Sequence, residues 1–184
     1  RLGAERPELV LLDAQLAACS KRAPFIERFP GRHYEVGNQE CMMVGVADGM
    51  AACGKSPFVN SSGMFTAGRA YGQIRNAVVY PGLNVTVVGF YSGLSNGEDG
   101  PTHQCVEDLP LMRAAPHTVV MCPCAANEAA LITEAAAKHS GPCFIRLGRG
   151  PVDTATAVAG TTFAVRKGVR NTQGRAATNT ATSH

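Results

Sequence analysis

The chain has 184 residues, enough for one domain around a single core, and its 45% hydrophobic and 17% charged content is that of a globular protein, not a disordered one. A net charge of +3, scattered lysines and arginines, few aromatics and no tryptophan exclude a basic phosphate-tracking surface and a base-stacking platform, hence nucleic acid as partner. No apolar run approaches the ~18 residues of a membrane span.

Leu9-Val10-Leu11-Leu12 reads as a short buried strand. Asn38 to Cys53, rich in Met, Val and Ala, reads as a buried helix, and Pro57-Phe58-Val59 as the opening of another strand. Gly68 to Tyr80 predicts a helix with Ala70, Ile74, Ala77 and Val78 on one face, broken by Pro81-Gly82. Val85 to Phe90 (VTVVGF) is a β run, and His103 to Ala114 is expected to be helical. Thr118 to Met121 follows as a strand, Ala125 to Lys138 as an alanine-rich helix, and Cys143 to Leu147 as a last strand. Short apolar strands alternating with helices imply right-handed crossovers. The expected fold is α/β: a three-layer sandwich whose mainly parallel sheet is flanked by helices. After Gly150 the composition shifts to Thr, Ala, Gly and Asn without a hydrophobic period. Residues 1–151 are therefore expected as the domain, and residues 152–184 as a linker and poorly packed extension.

The seven cysteines are odd in number and follow no secretory leader, which argues for reduced thiols in a cytoplasmic protein. Cys122-Pro-Cys124 is a close pair without a second pair at ligand spacing, so no metal site is expected on this chain.

Four places carry candidate chemistry. Glu40 opens an otherwise apolar helix and is followed by Cys41, Met42, Met43 and Val44. A carboxylate is favoured at a helix N-terminus, and one entering a buried surface can share a proton with a ligand nitrogen. The stretch NGEDGPTHQCVED follows the VTVVGF strand, so it lies at the sheet edge where ligands of parallel sheets bind. Pro101 and Thr102 interrupt the oxygen spacing of a Ca²⁺ loop, and the stretch lacks the lysine of a phosphate loop. That leaves Asp99 and His103 as polar groups for a substrate. Phe65 is either core or a platform for a flat heterocycle. Arg149, past the last strand, is either a solvated arginine or a grip for an anionic substrate.

Together the segments VGNQECMMVGVADGMA, GRAYGQIRNAVVY and GLSNGEDGPTHQCVEDLPLMRAAPHTVVMCP resemble the pyrimidine-binding domain of the transketolase family, from about Leu9 to Pro151. The resemblance implies thiamine diphosphate as cofactor. It implies that Glu40 protonates the aminopyrimidine ring nitrogen, promoting the imino form that removes the thiazolium proton. Phe65 would stack on the pyrimidine, Asp99 and His103 would face substrate and cofactor, and Arg149 would approach a substrate phosphate. The family's Gly-Asp-Gly…Asn segment, which holds Mg²⁺ and the diphosphate, does not occur in the chain. The resemblance thus implies a separate diphosphate-binding subunit, with self-association in a complex of two copies of each chain (an α₂β₂ heterotetramer). It also makes residues 152–184 the truncated or degenerate start of a third domain.

Several positions depart from the family pattern. Gln15 replaces an acid that reaches the cofactor from the neighbouring copy. Cys19 stands for a phosphate-binding serine, Tyr91 for a substrate-facing histidine and Ser62 for an aromatic. The expected function is a subunit of an enzyme that transfers a two-carbon ketol or acyl unit from a ketose or 2-oxoacid. The alternatives are a 1-deoxyxylulose-phosphate synthase-like or 2-oxoacid dehydrogenase β-like subunit, or a non-catalytic regulatory subunit.

Overall fold

A computed structural model of the chain describes residues 1–14, 22–152 and 181–182. Gln15, Cys19 and nearly all of the segment after residue 152 lie outside these residues. Six strands run parallel: β1 (Leu9–Asp13), β2 (His33–Glu35), β3 (Ser56–Ser62), β4 (Thr86–Phe90), β5 (Val119–Met121) and β6 (Cys143–Arg146). Their order is β2-β1-β3-β4-β6-β5, and the two-residue β7 (Ala181–Thr182) pairs antiparallel with β5. The helices are α1 (Leu2–Glu5), α2 (Ala23–Arg28), α3 (Glu40–Ala52), α4 (Tyr71–Gln73), α5 (Asp108–Ala114) and α6 (Ala126–Lys138).

β1 shows why the sheet is covered on both faces. Successive strand residues point to opposite sides. Val10 and Leu12 join Met43, Val44 and Ala47 of α3 in one core, while Leu9 and Leu11 join Ile132 and Ala136 of α6 in the other. Each face of the strand is thus buried under its own helical layer, which is why it reads as a continuous apolar run.

The structure extends or corrects the expected elements at several points. β3 runs on through Asn60-Ser61-Ser62, all buried, although their polarity hides the strand in the sequence. Asn60 Nδ2 donates to the carbonyls of Leu12 and Phe58, so burial leaves its amide satisfied. The helix expected from His103 begins only at Asp108. Gly93 and Cys105 form an antiparallel bridge that holds the preceding residues in turns. The helix expected over Gly68 to Tyr80 starts earlier, and the single turn α4 sits between π-helical stretches at Met64–Arg69 and Ile74–Val79. β2 has no apolar run to announce it. Among the described residues, no helix is long and apolar enough to cross a membrane.

Candidate active site

The parallel register brings the carboxyl ends of β1, β3 and β4 side by side: Asp13 pairs with Asn60, and Ser62 with Phe90. Beyond these ends lies a cavity of about 410 Å³, lined in part by Glu40, Ser62, Phe65, Tyr91, Asp99 and His103. Five of the residues expected to carry chemistry therefore meet in one place.

Glu40 is the first residue of α3 and is 1% exposed. Ser61 Oγ donates to its Oε1 at 3.1 Å, and Arg69 Nη1 donates to its Oε2 at 2.9 Å. The positive end of the helix dipole adds to these contacts. The carboxylate thus has two named partners in a site that the sequence presents as merely apolar. Arg69 also spans to the aromatic ring: its guanidinium carbon lies 4.3 Å from the Phe65 centroid. The rings of Phe65 and His103 meet edge-on, 5.1 Å apart at 75°. His103 Nδ1 lies 3.0 Å from Thr102 Oγ1.

The loop holding Asp99 and His103 is built by its own backbone. Gly97 and Gly100 take positive φ of 62° and 75°, a region that favours glycine. Asn96 Nδ2 donates to the His103 carbonyl, and Gln104 Nε2 to the Gly97 carbonyl. His103 thus sits in a turn and not at a helix start, but it still reaches the cavity.

Arg149 reaches back to this loop. Its Nη1 donates to the Asn96 carbonyl at 2.8 Å and lies 3.3 Å from Asp99 and 3.4 Å from Glu98. Its guanidinium carbon lies 5.5 Å from the centroid of Tyr91, whose φ is 55°. The neighbouring Arg146 is bound at 2.9 Å to the buried Asp108.

A second cluster escaped the sequence reading. Asp13, fully buried at the end of β1, lies 2.6 Å from Arg22 Nη2 and 2.7 Å from His33 Nε2. Burial pushes the Asp13 carboxyl up, against the pull of Arg22 and His33, and burial lowers Arg22. Asp13, His33 and Glu35 bring three ligand-type atoms within 4.8 Å of one another, and the guanidinium of Arg22 already supplies a positive charge there. An aspartate closing an apolar strand was the available signal, since a buried carboxylate needs a cation.

The cavity suits a flat polar heterocycle. Among the described residues, Ser62 Oγ and Asn96 Oδ1 are buried without a hydrogen-bond partner, and both residues line it beside the Phe65 ring.

The sequence model of the transketolase pyrimidine binding domain matches residues 1–155, and the chain belongs to this family. It is 40% identical over 148 residues to a putative transketolase C-terminal section of Methanocaldococcus jannaschii, covering 80% of the chain and 47% of that protein. It is 39% identical over 143 residues to a 6-deoxy-6-sulfo-D-fructose transketolase subunit of Clostridium sp., covering 78% of the chain and 44% of that subunit. A solved split gene transketolase, described as an inactive beta4 tetramer, superposes with a TM-score of 0.80 at 38% identity, covering 91% of the chain and 54% of that structure. The chain thus spans about half the length of these relatives.

Proposed function

We propose that the chain is one subunit of a thiamine diphosphate-dependent, transketolase-like transferase that moves a two-carbon ketol or acyl unit. It works with a separate subunit that supplies the diphosphate and Mg²⁺ site, in a complex with two copies of each chain. Residues 1–151 form its pyrimidine-binding domain, and residues 152–184 are a linker and the truncated or degenerate start of a third domain. Its free thiols suit the reducing cytoplasm.

The observation that carries this reading is Glu40. A buried carboxylate at a helix N-terminus, held by Ser61 and Arg69, opens onto a cavity beside an aromatic ring. The cofactor, when bound, would supply the electron sink for cleavage of a ketose or 2-oxoacid. Glu40 shares a proton with a ring nitrogen, and Phe65 offers an aromatic face. Asp99 and His103 bind hydroxyl groups and move protons at the substrate. Tyr91 borders the substrate. Gln15 and Cys19 are assigned to the cofactor and substrate by the family pattern alone. The subunit names of the relatives support the split arrangement.

The test is co-expression with a diphosphate-binding subunit, titration of thiamine diphosphate and Mg²⁺ by calorimetry, and an assay of two-carbon transfer. Glu40→Gln should lower kcat about 10²- to 10⁴-fold while the complex stays assembled. Unchanged activity in that variant would sink the mechanism. A stable complex that never binds the cofactor would favour the regulatory alternative.

A further inference from the structure

We infer that Arg69 is a place-holder for the cofactor's pyrimidine: it occupies Glu40 and Phe65 until the cofactor binds, and then gives way. The inference rests on the cofactor reading proposed above and adds a positioning residue to it.

One guanidinium holds both groups. Arg69 Nη1 donates to Glu40 Oε2 at 2.9 Å, and the guanidinium carbon lies 4.3 Å from the Phe65 centroid. These are the carboxylate and the aromatic face that the proposed function gives to the pyrimidine. A guanidinium is planar, carries N–H donors and packs on aromatic rings, as an aminopyrimidine does. All three side chains line the same cavity. The backbone places the arginine there. Ala70 N donates to the Phe65 carbonyl at 3.1 Å, the i→i+5 bond of the π-helical turn Met64–Arg69. Cys41 Sγ lies 3.6 Å from the Arg69 carbonyl, which ties this turn to α3 beside Glu40.

The two partners differ in their freedom to part. Glu40 is 1% exposed, whereas the Arg69 side chain is 50% exposed. The arginine can therefore swing into water, but the carboxylate cannot follow it. A buried carboxylate that loses its cation is costly. Arg69 thus stays until another donor reaches Glu40, while Ser61 Oγ keeps its bond to Oε1 at 3.1 Å. Two reasons then make the arginine leave. Two flat groups cannot occupy the same space at Glu40 and Phe65. A proton shared with a ring nitrogen also brings positive charge to the ring, and a guanidinium of the same sign beside it opposes this.

The test uses the complex assembled with a diphosphate-binding subunit. Its crystal structures are compared with and without thiamine diphosphate and Mg²⁺. Without the cofactor, Arg69 Nη1 is expected within hydrogen-bond distance of Glu40, and with it the pair is expected to be open. A pair that stays closed beside bound cofactor overturns the inference. Calorimetry gives the second readout. Arg69→Met should lower the Kd for thiamine diphosphate, by about tenfold if the pair is closed for about nine-tenths of the time in the empty site. An arginine that merely supports the site would weaken binding when removed, so an equal or higher Kd overturns the inference. The crystal comparison needs no variant and decides the question even if Arg69→Met fails to fold. If neither the wild-type complex nor the variant binds the cofactor, the transferase reading has failed and this inference falls with it. If the wild-type complex binds and the pair stays closed, this inference alone falls.

Discussion

Asp13 and Cys143 make different use of burial, and each yields a prediction. Asp13 is buried with a guanidinium and an imidazole at hydrogen-bond distance. Removing one partner of a buried pair leaves the other charge uncompensated. Arg22→Met should therefore cost about 3–5 kcal/mol in urea denaturation at pH 7. The loss should shrink in acid, because a protonated Asp13 no longer needs the cation. Adding Asp13→Leu to that variant should restore much of the stability. The Cys143 thiol has no charged partner among the described residues, and burial pushes it from 9.0 up to about 12. The folded chain then keeps a proton that the unfolded chain releases, so stability falls as pH rises from about 9 towards 12. The slope from this thiol is about 1.4 kcal/mol per pH unit. Cys143→Ala should flatten it, as read from urea midpoints measured across that range.

Among the elements, β4 shows how a strand sets the site through a glycine. A Cβ on Gly89 would stand 3.1 Å from the Gly63 backbone and 3.1 Å from the Phe144 ring. Neither neighbour can yield easily, since one is main chain and the other is fully buried. Gly89→Ala should cost about 1–3 kcal/mol by overpacking, measurable as a lower melting temperature. Because Gly63 leads into the Phe65 turn, the same variant should also weaken cofactor binding in the assembled complex. The legible elements were those with a repeating apolar pattern: β1, β4, β6, α3 and α6. β2 was missed because His-Tyr-Glu at an edge carries no pattern. The start of α5 was set too early because the charge and polarity of residues 103–107 also suit a turned loop. What fixes the turn is the bridge from Gly93 to Cys105, a long-range contact.

For the whole molecule the open question is assembly. Met42, Gly45 and Gly49 are exposed along one face of α3, next to the buried Glu40. A Cβ at either glycine meets nothing within 4 Å among the described residues. Gly45→Arg should therefore leave the fold intact, with a stability change within about 0.5 kcal/mol beyond the ~1 kcal/mol gain expected from losing a helical glycine. If this exposed face of α3 forms the contact between copies in the proposed complex, the same variant should block self-association in analytical ultracentrifugation. An unchanged mass in Gly45→Arg would place the assembly surface elsewhere.

The sequence by itself determined the parallel α/β architecture, because alternating apolar strands and helices have few other ways to bury both faces of a sheet. It also singled out Glu40 through its place before an apolar helix, and Asp99 and His103 through a glycine-bounded loop after a strand. Tertiary structure alone decided what those groups touch. Glu40 meets Arg69 across 29 positions, Arg146 meets Asp108 across 38, and Arg149 meets Asp99 across 50. Such pairs follow no local period, since they depend on which strand ends the sheet order places side by side. That is why Arg149 reads in the sequence as either a solvated arginine or a grip for an anion, while only the fold sets its Nη1 3.3 Å from Asp99 and 3.4 Å from Glu98.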